Sequence, residues 1–205
     1  MKEKICAIIS GGAFSPLTDI EKTDFVIACD KGCAYALEHG VSPDLLVGDF
    51  DSYSGAHPAG VRELDLPKEK DDTDTMAAVR WAVGDGYTQL WLYCALGGRL
   101  DHLLGNVQAA GYATARGVRV RIYDAENELY FLTHGTLTLP PRPGFSLSVL
   151  SMSDICEDVC IRGTKYLLDH VQLCNTFPIG ISNEWAGNAE ISVGSGVLMV
   201  ILSKM

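Results

Sequence analysis

The chain lacks several things that would settle its class at a glance. No segment approaches the ~18 apolar residues of a membrane-spanning helix, and the apolar run near the N-terminus is too short for a secretory signal, so the chain reads as cytoplasmic with no membrane partner. Positive charge is scarce. Sixteen Lys and Arg stand against 26 Asp and Glu, giving a net charge of −10 at pH 7 with no basic patch, so a nucleic-acid partner is not expected. There is no Gly-x-x-x-x-Gly-Lys-Ser/Thr loop and no Gly-x-Gly-x-x-Gly fingerprint, which removes the two common nucleotide motifs. Without a Gly-x-Ser-x-Gly elbow, serine-dependent acyl transfer has no support. Internal repeats, low-complexity tracts and flexible linkers are also missing. The seven cysteines are odd in number and sit mostly in apolar runs, which suits reduced, buried thiols. Cys29/Cys33 and Cys156/Cys160 share a three-residue gap that invites a zinc reading, set aside because each pair lies in or beside a predicted strand rather than a knuckle-like loop.

What is present is a sizeable core and a change of character part-way along. With 205 residues, 47% hydrophobic, the chain can bury about 70% of its unfolded surface. Apolar runs at 5–9, 25–29, 45–47, 63–66, 90–95 and 118–123 read as strands, and helical periods cover 32–39, 75–83 and 100–116. For the second helix, Asp72 or Thr73 serves as N-cap. Strands separated by helices predict an α/β N-terminal domain with a mainly parallel sheet over 1–124. Beyond it, strand-like runs at 129–133, 136–139, 145–150, 159–162, 190–193 and 197–202, punctuated by Pro and Gly, predict an all-β sandwich domain over 125–205.

Four acidic motifs fall where strands end or helices begin: Asp30-Lys31-Gly32, Gly48-Asp49-Phe50-Asp51-Ser52, Asp71-Asp72-Thr73-Asp74 and Gly97-Gly98-Arg99-Leu100-Asp101-His102. In open α/β sheets that is where ligands bind. Two carboxylates ~5 Å apart repel by roughly 3 kcal/mol at an effective dielectric near 20, so gathered acids call for a cation. Mg²⁺ binds through one or two carboxylates plus substrate phosphates. Glycines before a helix let backbone amides approach an anion, and Arg99 can grip phosphate oxygens at two points. Ser10-Gly11-Gly12-Ala13 is a second candidate phosphate loop. Structural readings stand beside these. Strand-end acids also serve as turn residues, Asp72 suffices as a helix-start acid, and His102, which shares a helix face with Arg99 and Asn106, can be a capping or core histidine. The pattern reads as a Mg-nucleotide enzyme.

Read in order, the motifs resemble the thiamine pyrophosphokinase (thiamin diphosphokinase) family. The match rests on Asp30-Lys31-Gly32, Pro43-Asp44-Leu45-Leu46-Val47-Gly48-Asp49-Phe50-Asp51-Ser52, Asp71 to Asp74 and Gly97 to His102. In the second half it rests on Gly163-Thr164-Lys165-Tyr166 and Ile181-Ser182-Asn183. The resemblance implies transfer of a pyrophosphoryl group from ATP to thiamine with Mg²⁺, giving thiamine diphosphate and AMP. It further implies a homodimer with active sites at the subunit interface. Carried over by residue, Asp49, Asp51, Asp71 and Asp74 hold metal and phosphate, and Arg99 and Asp101 take part in catalysis, with Asp74 or Asp101 as base. Asp30, Lys31, Gly32, Thr73, Gly97, Gly98, His102 and Asn106 contact the nucleotide. Tyr166, Ser182 and Asn183 bind the thiamine rings. Position 166 is tryptophan in some members, so tyrosine stacks with less area, and the segment from Asn175 to Gly180 matches no family motif.

Two rivals use the same residues differently. A haloacid-dehalogenase-like phosphatase would take Asp49 as a covalent nucleophile in Asp49-Phe50-Asp51, but it needs a downstream lysine and paired acids that are not evident. A nucleotide-sensing module would bind ATP without turnover.

Overall fold

The computed structural model describes residues 3–49, 58–66 and 71–205, and divides into two compact units, Met1–Ala125 and Glu126–Met205. In the first, six strands pair in parallel: β1 (Ile5–Ile9), β2 (Phe25–Cys29), β3 (Leu45–Gly48), β4 (Arg62–Asp65), β5 (Gln89–Tyr93) and β6 (Arg119–Tyr123). Their spatial order is β6-β5-β1-β2-β3-β4. The central strands are continuous apolar runs because a parallel sheet is covered on both faces. Ile8, Ile9, Ile27, Leu46 and Leu92 have no exposed surface, and truncating any one to alanine costs about 2–5 kcal/mol.

Three helices supply the cover: α1 (Gly32–Glu38), α2 (Asp74–Gly84) and α3 (Leu100–Thr114). A single 3-10 turn at Ile20–Lys22 was not expected from the sequence. On α2 the buried residues Thr75, Ala78, Val79 and Ala82 fall on one helical stripe. Thr73, not Asp72, is its N-cap, accepting a hydrogen bond from the Met76 amide at 3.1 Å. Asp72 instead binds Arg80, about two turns further along the chain. The buried stripe of α3 is built from Ala109, Ala110 and Ala113 with Asn106, small side chains that let the helix lie close to its neighbours α2 and β6.

The second unit is all β. Strands β7 (Asn127–Leu132), β9 (Phe145–Ser151), β12 (Gly180–Asn183) and β14 (Leu198–Lys204) pair antiparallel in the order β12-β9-β14-β7. Strands β8 (Gly135–Leu139), β10 (Ile155–Thr164), β11 (Leu168–Cys174) and β13 (Trp185–Val193) form a separate antiparallel sheet, β11-β10-β13-β8. One core draws on both sheets: Leu147, Val149, Leu198 and Val200 from the first, Val159, Ile161, Ala189 and Ile191 from the second. Strands β11 and β12 escaped the sequence reading. β11 has only Leu173 fully buried and pairs with β10 through two register shifts, so it shows no clean alternation. β12 is a four-residue strand at the end of its sheet.

Candidate active site

Strand β1 lies between β2 and β5, and the chain leaves it in opposite directions on the two sides. Such a reversal opens a crevice at the carboxyl ends of the strands. A cavity of about 450 Å³ lies there. Four segments line it: Ser10 to Ala13 after β1, Cys29 to Lys31 after β2, Thr73 to Thr75 at the start of α2, and Gly97 to Arg99 after β5, with His102 and Asn106 of α3.

The walls are held by backbone packing that leaves no space for side chains. Ser10 and Gly12 donate their amides to the carbonyls of Tyr93 and Cys94, both at 2.9 Å, joining the loops that follow β1 and β5. A Cβ on Gly12 would stand 2.5 Å from the Cys94 carbonyl oxygen, and one on Gly97 would meet the Ala13 side chain at 2.9 Å. Cys94 itself has φ 52°, held by its amide donating to Ser15 Oγ at 2.9 Å, and burial pushes its thiol pKa up. Gly97 and Gly98 have φ 76° and 73°, a left-handed pair that turns the chain into α3. The Asn106 amide donates to the Ala95 carbonyl at 2.8 Å, pinning the end of β5 to α3. Ser10 and Thr75 share a buried hydroxyl contact at 2.9 Å, which ties α2 to β1.

Of the acids named from sequence, Asp30 and Asp74 line the cavity. Asp30 adopts φ 45°, and its carboxylate lies against Gly48, where a Cβ would be 2.1 Å from Oδ1. That contact brings Asp30 to the residue immediately before Asp49. Asp71 is exposed and does not line the cavity. Asp51, with Phe50 and Ser52, lies outside the described residues. Asp101 is also off the cavity wall. It receives Arg99 at two points, 3.1 Å from Nε and 2.6 Å from Nη2, and accepts the His102 amide at 3.0 Å. The hydrogen bond from Arg99 holds the Asp101 carboxyl below its ordinary pKa. Gly32 is a packing residue, since a Cβ there would be 2.1 Å from the Ile9 carbonyl oxygen. Lys31 lines the cavity with its ammonium 5.2 Å from the Tyr35 ring centre, and the Tyr35 hydroxyl donates to the Gly12 carbonyl at 2.9 Å. Cys29 and Thr75 are wall residues with no sequence signal of their own.

A second cavity, about 420 Å³, lies in the β unit and is lined by Ile161, Leu168, Ile179, Ile181 and the three ring-binding candidates Tyr166, Ser182 and Asn183. Tyr166 is 59% exposed, so it is not a core aromatic. Asn183 is 5% exposed, and every hydrogen-bonding position of its amide is used. Nδ2 donates to Thr164 Oγ1 (3.1 Å) and the Tyr166 carbonyl (2.6 Å), and Oδ1 accepts from the amides of Tyr166 (2.9 Å) and Glu184 (3.0 Å). Asn183 therefore fixes the turn that carries Tyr166. Ser182 has φ 57°, and its amide donates to Ser148 Oγ at 3.0 Å.

With this geometry in place, residues 18–122 match the family model for the thiamin pyrophosphokinase catalytic domain. The chain belongs to the thiamin pyrophosphokinase family. It is similar to the thiamine pyrophosphokinase of Bacillus subtilis (strain 168), 25% identical over 98% of this chain and 99% of that protein. Among solved structures it superposes on the Bacillus subtilis enzyme with a TM-score of 0.86, at 26% identity over 98% and 99% of the two chains. On the thiamin pyrophosphokinase family protein from Enterococcus faecalis the TM-score is 0.82, at 29% identity over 99% and 100%. As a member of the thiamin pyrophosphokinase family the chain is an enzyme, and the sensing-module reading falls away. The segments on the first cavity from Cys29 to Asn106 fall inside the matched region, and the residues of the second cavity fall outside it.

Proposed function

We propose that this enzyme transfers the pyrophosphoryl group of ATP to the hydroxyethyl oxygen of thiamine, releasing AMP, with the 1–124 region handling nucleotide and metal and the 125–205 region handling the thiamine rings. The observation that carries the proposal is the first cavity, where a left-handed glycine pair, Arg99 and the carboxylates of Asp30 and Asp74 converge at the reversal point of a parallel sheet. Backbone amides beside Gly97 and Gly98 and the start of α3 favour an anion. The carboxylate donors fit a hard cation. Asp30, whose carboxylate lies against Gly48, would hold Mg²⁺ with the adjoining Asp49, and Asp51 and Asp71 join the proposal on their motif alone. Bound there, Mg²⁺ would neutralise phosphate charge and make the β-phosphorus easier to attack.

The chain's own residues do the rest. Arg99 exchanges its two-point contact with Asp101 for phosphate oxygens and shares the charge that develops as the α,β-bridging oxygen departs with AMP. The attacking hydroxyl must lose its proton as the new O–P bond forms. Asp74 is the better-placed acceptor, because it lines the cavity and Asp101 does not. Tyr166 offers an exposed ring for stacking, and Asn183 acts by positioning it. Tyr166, Leu167, Phe177, Ile179 and Ile181 are exposed apolar side chains of the β unit, which supports a homodimer with active sites at the subunit interface. No helix is long and apolar enough to cross a membrane among the described residues.

The test is AMP formation measured with and without thiamine, with thiamine diphosphate identified as the second product. Thiamine-independent phosphate release would favour a phosphatase, and ADP as product would overturn the two-phosphate transfer. A sedimentation measurement showing a fully active monomer would remove the shared site.

A further inference from the structure

The β unit holds a cluster that the proposed reaction does not use. In the antiparallel pair of β10 and β11, Val159 faces Val171, and at the register shift that follows Cys160 meets His170. Val159 and Ile161 point into the core, and the alternation of a strand sends Asp158 and Cys160 to the other face. Cys160 is outside the core cluster yet only 8% exposed, which makes it a thiol covered from the solvent side. The His170 amide donates to its sulfur at 3.3 Å. Asp158, Cys160 and His170 each direct one donor atom into the same space, and the three atoms lie within 4.8 Å of one another.

Local distortion makes this convergence. Asp158 and His170 adopt φ 56° and 51°, conformations that cost of order 1–3 kcal/mol in a non-glycine residue, and the register shifts on either side of Val159. Gly194 gives the carboxylate room, since a Cβ there would be 2.8 Å from Asp158 Cβ. His170 Nδ1 is hydrogen-bonded to Asp158 Oδ1, while Nε2 faces the Asp169 carboxylate at 4.0 Å. The nearby cation Arg162 is engaged by Asp169 at 2.6 Å. A ring nitrogen turned to the donor cluster with a carboxylate behind the other nitrogen is the arrangement that orients a metal-binding histidine.

We propose that Asp158, Cys160 and His170 bind one zinc-class divalent cation, with water as fourth ligand. The mixed sulfur, nitrogen and oxygen set suits zinc and excludes magnesium and calcium, which take oxygen donors. A tetrahedral zinc shell spaces donor atoms roughly 3.3–3.8 Å apart, within reach by small side-chain rotations. Binding deprotonates the Cys160 thiol, releasing that proton to solvent, and exchange through solvent leaves the imidazole proton on Nε2, facing Asp169, so that Nδ1 is free for the ion. Thiolate and carboxylate then balance the dication. The cation would clamp β10 to β11, the hairpin whose turn bears Tyr166.

The site is tested on the full-length chain, stripped with a chelator and titrated with Co²⁺, then with Zn²⁺ against a chromophoric competitor. One Co²⁺ should give a near-ultraviolet thiolate charge-transfer band that Zn²⁺ abolishes. Cys160→Ser should lose the band, Cys156→Ser should keep it, and His170→Gln and Asp158→Asn should each weaken Zn²⁺ binding by at least about 10-fold. The last two are surface changes that leave the core intact, so they decide the matter even if Cys160→Ser misfolds. Absence of the band in the unmutated protein, a band surviving Cys160→Ser, or unchanged Zn²⁺ affinity in both surface variants would overturn the proposal. A band from a thiol in the first unit, such as Cys29, would survive Cys160→Ser, so the outcome is independent of the pyrophosphoryl-transfer reading.

Discussion

The two cavities are nearly equal in volume, about 450 and 420 Å³, and are built by opposite means. The first is a backbone construction at parallel strand ends, where glycines bring loops into contact and charged groups are few and placed. The second is a side-chain construction on antiparallel strands, with aliphatic walls and one exposed aromatic. A backbone-built site suits a ligand recognised by charge, because amides and helix starts present fixed dipoles. A side-chain-built site suits a flat organic ring system, whose recognition is area and stacking. The comparison teaches that substitutions in the first should change turnover and those in the second should change substrate affinity.

The largest expected effect is from Asp74→Asn, and equally Asp49→Asn, for which kcat should fall about 10³-fold or more, corresponding to roughly 4 kcal/mol of lost transition-state stabilisation. Melting temperature should be equal or higher, since an acid has left a crowded wall. Near-normal kcat in both would break the division. Arg99→Lys follows, with a loss of ~10²-fold, because an ammonium cannot reproduce a planar two-point grip; unchanged kinetics would reduce Arg99 to a partner of Asp101.

In the second cavity, Tyr166→Ala should raise the thiamine KM by about 5- to 150-fold, the range of ~1–3 kcal/mol of stacking by analogy with nucleobases, with little change in stability or in ATP KM. Asn183→Ala sharpens the contrast. It should raise the thiamine KM and also lower stability by about 1–3 kcal/mol, because buried partners of its amide lose their hydrogen bonds; a KM effect without a stability effect in denaturant unfolding would make Asn183 a direct ligand. The smallest effect is expected for Asp101→Asn, below about 10-fold in kcat and without a resolvable shift in melting temperature, since its pairing with Arg99 is solvent-exposed.

The first unit was legible because each central strand is an apolar run that ends in its own functional motif, so element and site are marked by the same few residues. Ser10 to Ala13, Asp30 and Gly97 to Arg99 were visible at strand ends, and Asp74 at a helix start. The second unit was less so. β12 is too short for a period, β11 is broken by bulges, and the role of Asn183 depends on Thr164, 19 positions away. The cluster of Asp158, Cys160 and His170 is likewise made by strand pairing, which no local spacing announces. Conversely, the zinc reading of Cys156/Cys160 dissolves, because Cys156 points into the core, bonded to the Val197 carbonyl, while Cys160 faces outward.

Gly12 has a consequence for inhibitor design. Any side chain there would collide with the Cys94 carbonyl, so a compound anchored on that stretch of main chain meets atoms that mutation can hardly alter. A resistant variant would have to rebuild two loops at once, and the route to escape through a single codon change is closed at that position.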